Sequence, residues 1–334
     1  MSQLSTIETL AVRLIGKLTS RGDRRGSLLV LTYHRVLREP DPLMPGEPDS
    51  LEFAAQMDML SSIFNIIHLR EARQRLLAGT LPLRAMCITF DDGYANNCEV
   101  ALPILRERRI PATVFVATGY LNGGRMFNDT IIEAIRRAGP ELDLTPLGLG
   151  AYDLRDIERR RHAIDQILPV IRPLDPEERS ERAERIAAIV RVPLPDDLMM
   201  TEHQVRELAD QGLEIGAHTV RHPILTSVSR ERAKSEIEGS RRRLEEITGR
   251  PVTIFAYPNG RPGSDYDAYH VELVRESGFD LAVSTAPGAA SAPCDLFQIP
   301  RTSPWGGASL RTALRLAMSY RARHYQCVTT AGRG

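Results

Sequence analysis

Two short segments of this chain concentrate side chains able to do chemistry together. Ile88 to Tyr94 reads ITFDDGY and puts Asp91 and Asp92 at the end of an apolar, β-type run, AMCITF. His218 to Pro223 reads HTVRHP and puts two imidazoles four residues apart, directly after LEIGA. Each piece alone has an ordinary reading: Asp-Asp-Gly after a strand makes a turn whose carboxylates cap backbone N–H groups, and an HxxxH spacing arises by chance. Together they offer two imidazoles and one carboxylate for a divalent cation, plus a spare carboxylate. Such a set leaves coordination positions open, which suits catalysis, whereas a structural zinc site closes with a fourth protein ligand. An open position takes up water, lowers its pKa to about 7 and polarises a carbonyl oxygen. Hydrolysis is therefore the expected chemistry, with one carboxylate ligating and its neighbour taking the proton from that water. His218 and His222 reach a common point if the chain turns helically after the strand, and Pro223 stands where such a turn must end or kink.

Those residues need a rigid frame. Short runs rich in Val, Ile, Leu and Phe recur at Leu28 to Thr32, Asn65 to Leu69, Ala85 to Phe90, Thr113 to Ala117, Leu213 to Ala217, Val252 to Ala256, Leu281 to Ser284 and Phe297 to Pro300. Amphipathic helical patterns lie between most of them, at Phe53 to Ile63, Asn97 to Arg108, Thr201 to Gln211, Arg230 to Ile247 and Ala268 to Ser277. Continuously apolar strands alternating with helices imply a parallel sheet buried on both faces. The number of units predicts an α/β fold, a parallel (β/α) barrel of seven or eight strands, with chemistry at the C-terminal ends of the strands. Asp91, Asp92 and His218 all fall at such ends. Phe127 to Leu198 breaks the rhythm with helical patterns at Thr130 to Ala138, Leu154 to Ile171 and Pro176 to Arg191, and reads as a helical insertion without strands, its run Arg159 to Arg161 as a solvated face.

The predicted organisation is an amphipathic helix within residues 1–27, a catalytic domain over 28–321 with the insertion at about 127–198, and a flexible tail over 322–334. With 334 residues, 42% of them apolar, the chain can bury a sizeable core. Its 43 basic residues balance 43 acidic ones, so no global field draws it to nucleic acid or an anionic membrane. Cys87, Cys98, Cys294 and Cys327 lack metal-type spacing and are expected as reduced thiols. There is no apolar run of bilayer-spanning length and no basic segment followed by an uninterrupted apolar one, so a cytoplasmic protein is expected. Leu4, Ile7, Leu10, Ala11, Leu14, Ile15 and Leu18 recur at helical spacing. They predict a helix packed on the domain or, with Arg21, Arg24 and Arg25, a peripheral contact at the inner face of the membrane.

TFDDGY, the HTxxH segment and FAYPNG at Phe255 to Gly260, in this order, resemble the first three motifs of the polysaccharide deacetylases, the carbohydrate esterase family also known for its NodB homology domain. With LTYHRV at Leu31 to Val36 and LMMT at Leu198 to Thr201, the chain is similar to the branch that modifies bacterial exopolysaccharides. The resemblance covers roughly residues 28 to 305, and the ordered combination is specific. It implies that the barrel is a distorted parallel (β/α) barrel, and that it carries out metal-assisted removal of N-acetyl groups from an amino-sugar glycan or its lipid-linked precursor. Asp91 matches the base, Asp92 the metal carboxylate, and His218 and His222 the metal imidazoles. The cation implied is Zn2+, with Co2+, Ni2+ or Mn2+ as alternatives. The backbone N–H of Asn259 matches the oxyanion donor, a group worth about 3 kcal/mol of barrier.

Two features depart from the family pattern. Ala256 stands two residues before Pro258 where many members carry an arginine that orients the base, which makes Arg301, after the strand FQIP, the candidate replacement. No LxH segment supplies the usual general acid, and His34 at the end of the first strand is the candidate for it, the alternative being a histidine bonded to backbone. Trp305, the only tryptophan, either stacks on a sugar or caps the barrel. Two other functions compete: a non-catalytic glycan-binding protein of the same ancestry, and an Fe(II) facial-triad oxygenase, for which an HxD spacing and an all-β frame are expected.

Overall fold

The continuously apolar runs form strands buried on both faces, and the segments between them form the helices that cover the sheet. The computed structural model describes residues 4–21 and 26–329. In chain order the elements are α1 (Thr6–Thr19), β1 (Leu28–Tyr33), α2 (Ser50–Ile63), β2 (Asn65–Ile66), α3 (Leu69–Ala78), β3 (Ala85–Phe90), α4 (Leu102–Glu107), β4 (Thr113–Val116), α5 (Phe127–Arg137), β5 (Glu141–Asp143), β6 (Ala151–Asp153), α6 (Ile157–Ile171), α7 (Pro176–Val190), α8 (Glu202–Asp210), β7 (Glu214–Ala217), α9 (Arg230–Thr248), β8 (Ile254–Ala256), α10 (Ala268–Glu276), β9 (Leu281–Val283) and α11 (Leu310–Ser319). The main sheet is parallel, in the order β1-β3-β4-β7-β8-β9. On one side of β3, β2 pairs with the lower half and β4 with the upper half.

The sheet curls until its edges meet. Ile299 bridges to Val283 of β9 and Thr302 to Leu31 of β1, with Ser284 N–H donating to Ile299 O at 2.8 Å and Thr302 N–H to Val30 O at 2.8 Å. The strand expected over Phe297 to Pro300 is thus an irregular bridge, because Pro300 has no N–H to give to a ladder. Strand alternation divides the core. Leu28, Val30, Cys87, Phe115, Ile254 and Leu281 pack together inside the barrel, while Leu29, Leu31, Ile88, Val114 and Ile215 pack against the surrounding helices.

Other departures from expectation have local causes. Asn65 to Leu69 yields only two strand residues before α3, a helix the sequence reading lacked. The helix expected over Asn97 to Arg108 begins as a π-turn, Asn97–Ala101, before α4. Pro103, with no N–H to give to an upstream carbonyl, falls at that junction. The insertion is not purely helical, since β5 and β6 form an antiparallel hairpin. It carries its own core, including Ile131, Ile135, Leu154, Ile167 and Ile186. Its basic run is not simply solvated: Arg160 donates to carbonyls at the C-terminal end of α5, among them Ala138 O at 3.0 Å, and Arg161 Nε donates to Pro42 O at 2.6 Å.

Residues 322–329, expected as a flexible tail, are fastened to the barrel. Gln326 Nε2 donates to Pro262 O at 2.9 Å and Val328 N–H to Gln298 Oε1 at 2.8 Å. At the other end, α1 is capped by Ser5 and buries Val12 and Gly16. It packs on α11, with Thr19 Oγ1 donating to Ala317 O at 2.6 Å. Ile7, Leu10, Leu14 and Leu18 form its outer stripe and are 57–80% exposed. Arg24 and Arg25 lie outside the described residues. All four cysteines are free thiols, and among the described residues no helix is long and apolar enough to cross a membrane.

Candidate metal and catalytic site

The ends of β3 and β7 bring the two sequence segments together at the mouth of the barrel. Asp92 Oδ1 lies 3.5 Å from His218 Nε2 and 3.5 Å from His222 Nε2, and the two Nε2 atoms are 3.1 Å apart. Among the described residues these three form the one His/Cys/Asp/Glu group whose donor atoms converge as metal ligands do. His218 Nδ1 lies 2.8 Å from Ala256 O. A proton on that nitrogen leaves the Nε2 lone pair facing the shared point, the support a ligating histidine needs. Burial holds the His222 imidazole down at about 3, hence neutral and ready to donate a lone pair. The donor set fits a divalent cation.

The helical turn expected after β7 is absent. Thr219 and His222 instead adopt left-handed backbone, with φ of 64° and 52°, a conformation costly for residues with a Cβ and worth about 1–3 kcal/mol of strain each. Outside partners impose it. Glu236 of α9 accepts hydrogen bonds from Val220 N–H at 2.9 Å and Arg221 N–H at 2.6 Å, and Arg179 of α7 donates to His222 O at 2.9 Å. His222 N–H donates to Thr219 Oγ1 at 3.1 Å. Asp92 is left-handed too, at φ 74°, and Gly93 follows at φ 88°, so the chain turns sharply enough to aim consecutive carboxylates differently.

Asp91 points to another partner. Its two oxygens accept from Arg301 Nη1 and Nη2 at 2.7 Å each, and Arg301 Nε donates to Ser284 O at 3.0 Å. Both groups are buried. Burial by itself raises the Asp91 carboxyl, but the Arg301 guanidinium, then His218, pull it below the ordinary carboxylate range. Each oxygen keeps a second lone pair, so the arginine orients this carboxylate without using it up.

His34, Asn259 and Trp305 line the same cavity of about 300 Å3 as Asp91, Asp92, His218 and His222. His34 is half-buried and its carbonyl accepts from Asn97 Nδ2 at 2.9 Å. Asn259 is left-handed at φ 57°, with its carbonyl held by Thr285 Oγ1 at 2.7 Å. Its N–H makes no hydrogen bond among the described residues. Trp305 is 56% exposed and lies against Gly46, where a Cβ would meet the ring at 3.1 Å. The insertion supplies the opposite wall, through Met126, Phe127, Leu168 and Arg172.

Several residues in or around this site were not singled out from sequence. Glu236, Arg179 and Glu47 sit among ordinary surface charges in the sequence, where no spacing marks them. Asp129 at the start of α5 is buried and touches Tyr94 Oη, 3.3 Å away, and Arg35, 3.7 Å away. Burial raises its carboxyl to about 7 despite Arg35.

The model of the polysaccharide deacetylase family matches residues 78–145 and 183–282, half of the chain. The Bacillus subtilis (strain 168) protein YxkH, which carries that family's name, is 22% identical over 289 residues, covering 86% of this chain and 75% of its own. A Staphylococcus epidermidis poly-beta-1,6-N-acetyl-D-glucosamine N-deacetylase is 30% identical over 118 residues, 31% of this chain and 40% of that protein. Among solved structures, the Streptococcus pyogenes deacetylase PplD, in complex with acetate, superposes with a TM-score of 0.58 at 19% identity, covering 87% of this chain and 98% of that one. By family match, fold and the order of its motifs, the chain belongs to the polysaccharide deacetylases.

Proposed function

We propose that this hydrolase removes N-acetyl groups from an amino-sugar glycan, with Asp91 as base and with Asp92, His218 and His222 holding a divalent cation. One observation carries the reading: three ligand atoms converge to within 3.1–3.5 Å of one another while a neighbouring buried carboxylate is locked by an arginine instead of joining them. A cation bound there, Zn2+ first among divalent metals for this donor set, supplies Lewis acidity to a water and to the acetyl carbonyl.

The chain's own groups do the rest. Asp91, kept ionised by Arg301, takes a proton from water as the water oxygen bonds to the acetyl carbon. The backbone N–H of Asn259, a residue of the cavity wall whose N–H has no partner among the described residues, donates to the developing oxyanion. His34 gives a proton to the amide nitrogen as the C–N bond breaks, and acetate and a free amine leave. Family membership and the βα frame favour this reading over an Fe(II) oxygenase, and the presence of all four motif residues favours it over a binding-only descendant.

The name of the S. epidermidis relative makes β-1,6-linked N-acetylglucosamine the first substrate to test. The exposed stripe of α1 supports a peripheral membrane contact in the same reading, where a lipid-linked precursor would be met. The test is acetate release from a panel of N-acetylated oligosaccharides. Release from amino-sugar oligomers, abolished by chelation, is the expected result; oxygen consumption with a 2-oxo acid, or glycan binding without release, would replace this reading.

A further inference from the structure

We propose that the cavity beside the metal site is a subsite for an amino-sugar residue that has already lost its acetyl group, held through its ammonium by Glu52 and Glu47. The proposal rests on the deacetylase reading and goes beyond it by naming the neighbour of the reacting sugar.

This second cavity, about 330 Å3, shares His34, Glu47 and Trp305 with the metal cavity, so the two meet along a common wall. Its volume falls in the range of small-ligand sites, about 300–1,000 Å3. The rest of its wall comes from the end of β1, the 45–48 turn, the first turns of α2 and the 304–307 segment. No lysine or arginine lines it, and its formal charge comes from Glu47 and Glu52.

Neither glutamate makes an ion pair among the described residues. Glu52 receives one side-chain bond, from Gln56 Nε2 at 3.4 Å, and Gln56 in turn takes the Tyr33 hydroxyl at 2.8 Å. Glu47 Oε2 receives only the Arg35 backbone N–H, at 3.2 Å. Glu52 has no ion-pair partner, and Glu47 feels only the more distant pull of His34 and Arg35 against the burial that raises its carboxyl; a lining of this kind favours a cation, and the indole of Trp305 on the shared wall is the best aromatic face for one. The chemistry proposed for the adjoining site makes such a cation on each turnover, because every acetyl group removed leaves an amine. A glycan advanced by one sugar would then place the product of one turnover where it helps seat the next substrate.

The probes are β-1,6-linked N-acetylglucosamine oligomers of equal length: one fully acetylated, and two with a single free amine on either side of a fixed acetylated residue. Below pH 7 one amine-bearing isomer is expected to exceed the fully acetylated oligomer in kcat/KM for acetate release by about tenfold, or about 1.4 kcal/mol. The advantage fades as pH rises past about 8, the range in which an α-amino-type group loses its proton. In Glu52→Gln the ratio falls to about one. Equal kcat/KM for all three oligomers, or a preference unchanged by pH or by Glu52→Gln, would overturn the subsite. Calorimetric binding of the same oligomers to the Asp91→Asn protein separates the two readings. A binding preference with no acetate release by the unmutated protein sinks the deacetylase reading alone; release without a preference sinks the subsite alone.

Discussion

At the scale of single residues, the different roles proposed for Asp91 and Asp92 rest on their partners, since their side chains are the same. Asp92 faces two imidazoles and Asp91 faces a guanidinium. Asp91→Asn is expected to lower acetate release by about 10²–10⁴-fold, the usual worth of a positioned base, with metal content unchanged; full activity would remove Asp91 from that role. Arg301→Met should move the acid limb of kcat/KM upward. With the arginine present, the Asp91 carboxyl lies below its ordinary range and stays ionised as pH falls; without it, burial dominates and the carboxyl protonates at higher pH. An unmoved limb would mean that Asp91 does not titrate in the free enzyme. The convergence of Asp92, His218 and His222 beside Asp91 was legible in the sequence because each ends or follows an apolar strand, and the place of Arg301 beside Asp91 was legible from its position after FQIP. Glu236 was not, because a glutamate in a charged helix looks solvated until the loop it holds is seen.

At the scale of elements, the HTVRH loop works because α9 and α7 clamp it. Glu236→Ala removes the acceptor shared by Val220 and Arg221 N–H and frees Thr219 and His222 to leave their left-handed conformations. The expected result is metal affinity weaker by about 10–100-fold, as for other supporting residues around metal ligands, read by metal titration with the fold retained by circular dichroism. Undiminished affinity would show that the loop holds its shape unaided. Sequence reasoning put both histidines on one helical turn and so obtained the right juxtaposition by the wrong backbone. Threonine and histidine carry no signal for positive φ, and the clamps come from residues 14 or more positions away. The β5–β6 hairpin was missed for a related reason: three-residue strands are too short to display a period.

At the scale of the molecule, the parallel barrel and its closure were legible from the number of continuously apolar runs, whereas the form of the closing segment was not, because a bridge made by Ile299 and Thr302 around Pro300 is not a strand pattern. The insertion joins the barrel at the site itself, through Arg179 on the HTVRH loop and Asp129 beside Arg35 and Tyr94. Asp129 is expected to make overall stability depend on pH. Its folded-state carboxyl is raised to about 7, so its contribution is full below the ordinary carboxylate range and is lost as pH rises through 7. Unfolding free energy is expected to drop by roughly 1–3 kcal/mol between about pH 5 and 8, with the slope much reduced in Asp129→Asn; an equal slope in both proteins would assign the dependence elsewhere. The central claim is that acetate release requires one cation at Asp92, His218 and His222, and its most direct test is to strip the protein with a chelator and titrate a divalent metal back while following acetate. Activity should vanish on stripping and return in proportion up to one equivalent, with no return in His218→Ala. Undiminished acetate release by the stripped protein, or full recovery in His218→Ala, would contradict it.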